Sequence, residues 1–177
     1  MLPALACYIL PVHQIIPANT PAHIAEIRQL FTEYAEWLQV SLCFQGFQQE
    51  LAELPGKYAP PRGAMLLAVD GDQVVGCVAL RPLEDGDVCE MKRLYVRAEA
   101  QGQHVGERLV NAIIVEARKL GYSRMRLDTL LGKMDKAIAI YRRAGFEEIA
   151  PYYDNPYPVL FFELELRRPD SRKTAIP

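Results

Sequence analysis

Apolar positions along the chain follow two periods, and the switches between them mark out the elements. Ile24, Ile27, Leu30, Phe31, Tyr34 and Leu38 recur at helical spacing, which predicts an amphipathic helix packed on a sheet. Asn19 or Thr20 supplies its N-cap, and Pro21 suits its first turn. A shorter helix is expected over 47–54, stopped by Pro55-Gly56. Residues 64–69 and 74–80 are apolar runs separated by Asp70-Gly71-Asp72-Gln73, a hairpin signal. A second polar turn, 84–87, leads into a strand that holds Glu90 and closes on Leu94, Tyr95 and Val96. The helical period returns with Val105, Leu109, Ile113 and Ala117, and Gly121 is placed to cap that helix. Residues 124–130 read as a strand, and 134–144 as a short helix with Ile138 and Tyr141, stopped by Gly145. The last strands are expected over 146–149 and 159–166, and an edge strand over 8–14, where Pro11 disfavours a central place.

Strand, crossover helix and strand in succession make a right-handed parallel connection. The expected fold class is therefore α/β: a mixed, mostly antiparallel sheet with a central parallel strand pair, flanked by helices. At 177 residues the chain suits one domain over 1–177, with the polar end 168–177 fraying.

A net charge of −2 argues against a nucleic-acid partner, which usually demands a basic excess. Cys7, Cys43, Cys77 and Cys89 lack the paired spacing of a zinc site. They read as buried free thiols, which suits a reducing, cytoplasmic setting. His13, His23 and His104 show no ligand spacing, so no metal is expected. The apolar N-terminus has no basic flank and falls short of the roughly 20 residues needed to cross a bilayer, so neither a membrane partner nor a signal peptide is expected.

Gly102 and Gly106 stand between the strand ending at Val96 and the helix beginning near Val105. Such a loop lets the backbone approach a ligand closely. The unpaired amides of the first helical turn and the helix dipole favour an anion there, and a phosphate or diphosphate is the natural guest. Two glycines before a helix also occur in plain tight turns, so the pattern leaves both readings open.

The run LYV-x-A-x-x-QGQHVG-x-x-L, followed downstream by AIAIYRRAGF, resembles the GCN5-related N-acetyltransferase family. The likeness spans residues 64–166 and implies acetyl-CoA as acyl donor, with transfer to an amine by direct attack in a ternary complex. It implies that Gln101, Gly102, Gln103, His104, Val105 and Gly106 hold the diphosphate, and that Leu94, Tyr95 and Val96 pair with the pantetheine arm as an added strand. It also implies a bulge near Tyr95 or Val96, where a backbone N–H serves the oxyanion. Two places depart from the family pattern: His104 stands at a glycine position, and Met134 where many relatives carry asparagine.

Moving an acetyl group from a thioester to an amine needs a proton acceptor for the amine, a donor for the oxyanion and a proton for the thiolate. An ammonium with a pKa of about 10.4 is mostly protonated near neutrality, so a base is required. The resemblance implies Glu90 as that base and Tyr141 as the acid near the sulfur. Strand alternation puts Glu90, Lys92 and Leu94 on one face. Each candidate has a plainer alternative: Glu90 as a salt-bridge partner of Lys92, Arg93 or a neighbouring strand, and Tyr141 as a core residue. Phe44, Phe47, Tyr58, Asp128, Tyr153 and Tyr157 are residues that either line an acceptor pocket or simply pack. The expected partner is a small-molecule amine, with homodimer formation left open. A protein lysine or N-terminus is the alternative acceptor, and a coenzyme-A-binding sensor without turnover is the alternative class.

Overall fold

The computed structural model describes residues 13–84 and 86–166. Its elements in chain order are β1 (Gln14–Pro17), α1 (Pro21–Leu38), α2 (Phe47–Glu53), β2 (Ala64–Asp70), β3 (Gln73–Pro82), β4 (Val88–Val96), α3 (Val105–Lys119), β5 (Arg124–Leu130), α4 (Asp135–Arg143), β6 (Glu147–Ile149) and β7 (Val159–Glu165). The strands form one seven-stranded sheet in the order β1-β2-β3-β4-β5-β7-β6. Every neighbouring pair is antiparallel except β4 and β5, which are parallel. This is the mixed α/β architecture the sequence implies.

Each face of the sheet carries its own apolar core. On one side α1 buries Ile27, Leu30, Phe31 and Leu38 against Met65, Leu67, Cys77 and Ala79. On the other, α3 buries Val105, Leu109, Val110, Ile113 and Ala117 against Leu66, Val78, Leu80 and Met91. Each Val, Leu, Ile, Phe or Met side chain among these contributes about 1.5–3 kcal/mol of burial free energy. Thr20 caps α1, its hydroxyl accepting from the His23 N–H at 3.2 Å, with Pro21 in the first turn. Gly121, at φ +86°, follows the last residues of α3 in the left-handed conformation that ends many helices.

Some expectations need correction. The first strand begins at Gln14, where the apolar pattern had it end, because Ile15 and Ile16 pair with Ala68 and Leu67 of β2. His13, also in the expected 8–14 strand, precedes β1, while residues 8–12 with Pro11, Cys7 and the 168–177 tail lie outside the described residues. Cys77 and Cys89 are buried thiols, but Cys43 is exposed, because it sits in a short 3-10 turn after α1 and not in a strand.

The departure with most consequence is in β4. Cys77 pairs with Tyr95 and Ala79 with Lys92, so Arg93 and Leu94 together oppose Val78. Arg93 takes up the extra length at φ +58°. One inserted residue reverses the facing of everything beyond it. Cys89 and Met91 before the bulge, and Leu94 and Val96 after it, all face α3, so Glu90 and Lys92 face α1. Glu90 and Leu94 therefore lie on opposite faces, contrary to unbroken alternation. The bulge also lies earlier than the resemblance implied, since Tyr95 and Val96 pair regularly with Cys77 and Gly76.

Candidate active site

Beyond Glu90 the two parallel strands part. They pair only at Val88 with Arg124, Cys89 with Met125 and Glu90 with Arg126, while β5 continues along β7 as far as Leu130. The β5-facing edge of β4 over 91–96 thus carries no ladder, and a wedge opens in the middle of the sheet. Three cavities meet around it.

The first lies at the mouth of the wedge beside α3 and α4, and measures about 630 Å³. Its walls include Leu94, Tyr95, Val96, Gln101, Gly102, His104, Val105 and Gly106. The turn at its head is not plugged by its own side chains: the Gln101 amide nitrogen donates to the Val96 carbonyl at 3.1 Å, and that of Gln103 to the Glu99 carbonyl at 2.9 Å. Gln103 is accordingly absent from the cavity wall, unlike the other eight residues expected there. No side chain caps α3, which leaves its first-turn amides for a ligand. A Cβ on Gly106 would meet only Ile140 Cδ1 at 3.4 Å and Val96 Cγ2 at 3.8 Å. Packing alone does not demand glycine there; an approaching ligand would. His104 keeps the glycine-like turn by adopting φ +59° as the N-cap residue, and its exposed ring lies 3.3 Å from Glu107.

The second cavity, about 50 Å³, occupies the wedge and is lined by Tyr34, Leu94, Asp128, Thr129, Met134 and Tyr141 among others. Tyr141 is buried at 3% exposure. Burial pushes its phenol well above the ordinary range, and Tyr34 and Asp128 add to the rise, so the hydroxyl keeps its proton. Thr129 Oγ1 is buried with no hydrogen-bond partner among the described residues, a polar group in this wall that sequence reasoning did not pick out.

The third cavity, about 510 Å³, lies on the α1 side and contains Arg81, Glu90, Lys92, Arg126, Tyr152 and Tyr153 in its wall. Glu90 is 1% exposed. Its Oε2 accepts from Arg81 Nε at 2.8 Å and lies 2.7 Å from Arg81 Nη2. Its Oε1 accepts from the Tyr152 hydroxyl at 2.8 Å and lies 3.8 Å from Lys92 Nζ. Lys92 in turn donates to Asp128 at 2.7 Å. Burial raises the Asp128 pKa, but the charge and hydrogen bond of Lys92, with a further bond from Tyr153, outweigh it and hold the carboxyl below its usual range.

Glu90 and Tyr141 therefore line different cavities. The wedge connects them: it shares Phe44, Gln45 and Lys92 with the α1-side cavity, and Leu94 and Met134 with the α3-side cleft. Of the aromatic candidates, Phe47 and Tyr58 are core residues, whereas Phe44 is 42% exposed and lines both the wedge and the α1-side cavity. Tyr157 also lines the wedge, and its hydroxyl accepts from the Ser41 N–H at 3.0 Å, which ties the loop before β7 to the end of α1. Arg81 and Tyr152 went unnoticed in the sequence. Arg81 ends an apolar strand, and Tyr152 belongs to an aromatic loop whose neighbours attracted attention instead. Among the described residues, no group of three or more His, Cys, Asp or Glu is placed to hold a metal.

Comparison with known proteins gives a consistent result. Residues 24–146 match the model of the acetyltransferase (GNAT) family. An uncharacterised N-acetyltransferase of Schizosaccharomyces pombe is 42% identical over 87% of this chain and 95% of its own. In fold, the chain is similar to a GNAT-family acetyltransferase from Staphylococcus aureus, with a TM-score of 0.73, 19% identity and coverage of 88% of this chain and 100% of that one. A Salmonella typhimurium protein solved with its cofactor acetyl-CoA matches at a TM-score of 0.68 and 18% identity, covering 92% of this chain and 99% of its own.

Proposed function

The chain belongs to the GNAT acetyltransferase family, and we propose that it moves an acetyl group from acetyl-CoA to the amine of a small molecule by direct attack in a ternary complex. The observation that carries this reading is the wedge where β4 and β5 part, because it joins an open cleft on one face of the sheet to an open cavity on the other. Donor and acceptor then enter from opposite faces and meet at the gap.

The uncapped turn at 101–106 supplies main-chain amides to the diphosphate. The unpaired edge of β4 at Leu94, Tyr95 and Val96 takes the pantetheine arm. An amide beside the Arg93 bulge faces the oxyanion. The amine nitrogen bonds to the acetyl carbon and the carbon–sulfur bond breaks. The proton shed by the amine ends on Glu90, and Tyr141, which burial keeps protonated, donates a hydrogen bond to the sulfur as it departs as a thiolate. Acetyl-CoA supplies the activated acyl group.

The loops flanking the α1-side cavity support a small acceptor. The α1-side cavity is walled by Phe44 and Gln45 on one flank and Tyr152 and Tyr153 on the other, and the Tyr157–Ser41 bond bridges the loops that carry them. An extended peptide would need that bridge open. Thiol release from acetyl-CoA, measured across a panel of small primary amines, tests the proposal: release with at least one of them is expected. Binding of acetyl-CoA without release for any amine would sink the transferase reading in favour of a sensor.

A further inference from the structure

A carboxylate offers about four acceptor positions, and three of those of Glu90 are taken. Two face the Arg81 fork, at 2.8 and 2.7 Å from Oε2. Of the other two, on Oε1, one takes the Tyr152 hydroxyl at 2.8 Å, while Lys92 Nζ, which donates to Asp128, lies 3.8 Å away and outside hydrogen-bond reach. At 1% exposure, Glu90 offers almost no surface to a molecule in the α1-side cavity. Tyr152 is only half-buried and lines that same cavity.

We propose that Tyr152 is a catalytic residue: the acceptor amine meets its hydroxyl, and the hydroxyl passes the proton on to Glu90. The inference rests on the reading of Glu90 as the base. In the transfer, an N–H proton of the ammonium moves to the Tyr152 oxygen while the tyrosine's own proton moves to Glu90 Oε1. Tyr152 ends as it began, and the net change is one proton from amine to carboxylate. The ring is held for this: it packs edge-on against Phe161 at 5.1 Å and Tyr153 at 5.3 Å, and the Arg126 guanidinium lies 5.2 Å over it. A relay fixed by its neighbours needs no swing of the side chain before reaction.

The test uses the full chain, acetyl-CoA and a panel of small primary amines, with thiol release as the signal. Tyr152→Phe should lower kcat/KM by about 100-fold, with the KM for acetyl-CoA unchanged, because the α3-side cleft does not include this residue. Glu90→Gln should show a similar loss, and the double variant should be no slower than either single one, since the two act as a unit. In the unaltered protein, the solvent-isotope dependence of kcat/KM should be bowed, as two protons in flight require; a linear dependence would overturn the relay without any variant. Tyr152→Phe matching or exceeding the parent while Glu90→Gln is inactive would mean direct access to the carboxylate, and the relay would fall with Glu90 retained. Full activity of Glu90→Gln would remove the base and the relay together, and no release with any amine would remove the transferase reading itself.

Discussion

Gly106 separates what the fold needs from what a ligand needs. A methyl group there would make ordinary contacts with Ile140 and Val96, and alanine gains about 1 kcal/mol of helix propensity over glycine in α3. Gly106→Ala should therefore melt no lower than the parent, yet bind coenzyme A at least about tenfold more weakly, a clash of about 1.4 kcal/mol; calorimetry beside a thermal melt checks both halves. His104 presents the reverse case. Its φ of +59° is a conformation that glycine adopts freely and other L-residues reach at a cost of roughly 1–2 kcal/mol. The ring's one ion-pair contact, with Glu107, is exposed and worth little. His104→Gly should raise the melting temperature by about 2–4 °C for each kcal/mol of relieved strain, and a fall would mean that the imidazole holds the turn by some other contact. The sequence pointed to the 101–106 turn because glycine spacing records backbone conformation. It could not tell that Gln103 turns back to Glu99, since a glutamine side chain leaves no such mark.

At the scale of elements, the bulge in β4 is tied to a wall of the α1-side cavity. The Arg93 guanidinium donates to both oxygens of Glu50 in α2 at 2.9 Å and to Gln45 Oε1 at 3.1 Å, and it stacks 5.1 Å over Phe47. The register was illegible for that reason: binary patterning assumes continuous alternation, and an arginine in an apolar strand looks like a solvated edge residue until its carboxylate partner, 43 positions earlier, is placed beside it. Burial raises the Glu50 pKa, but the hydrogen bonds and charge of Arg93 outweigh it and set the carboxyl below its ordinary 4.5. Folding therefore favours the ionised form, so its contribution is full above that ordinary value and is lost as pH falls through the folded-state value. Glu50→Gln leaves a buried guanidinium without its counter-charge and should cost about 3–5 kcal/mol near neutrality. The gap between variant and parent should close as pH falls through the parent's folded-state value, which lies below 4.5, where its own carboxylate becomes protonated. Denaturant titrations at several pH values would measure it, and a gap independent of pH would show that the fork contributes packing and not charge.

For the molecule as a whole, hairpins, crossover and helix periods were enough to give the mixed sheet, because each rests on local spacing. The sites on its two faces were not, because their walls come from segments far apart in the chain: Glu90 is held by Arg81 from β3 and Tyr152 from the loop after β6. Trp37 shows the same long reach and provides a signal. It is the single tryptophan of the chain; α1 carries it into the α3-side cleft, where it is 38% exposed and lies beneath Lys133 Nζ at 5.1 Å. The α1-side cavity does not include it. A coenzyme A molecule filling the cleft must displace water from this indole and disturb the lysine above it, whereas an amine entering from the opposite face touches neither. Intrinsic fluorescence should therefore change saturably on titration with coenzyme A and stay flat on titration with any amine that the enzyme acetylates. The coenzyme A response should shift to higher concentration in Gly106→Ala and remain unaltered in Tyr152→Phe. An amine that moves the signal as strongly as coenzyme A would mean that the two ligands share one face of the sheet, and entry from opposite sides of the wedge would have to be abandoned.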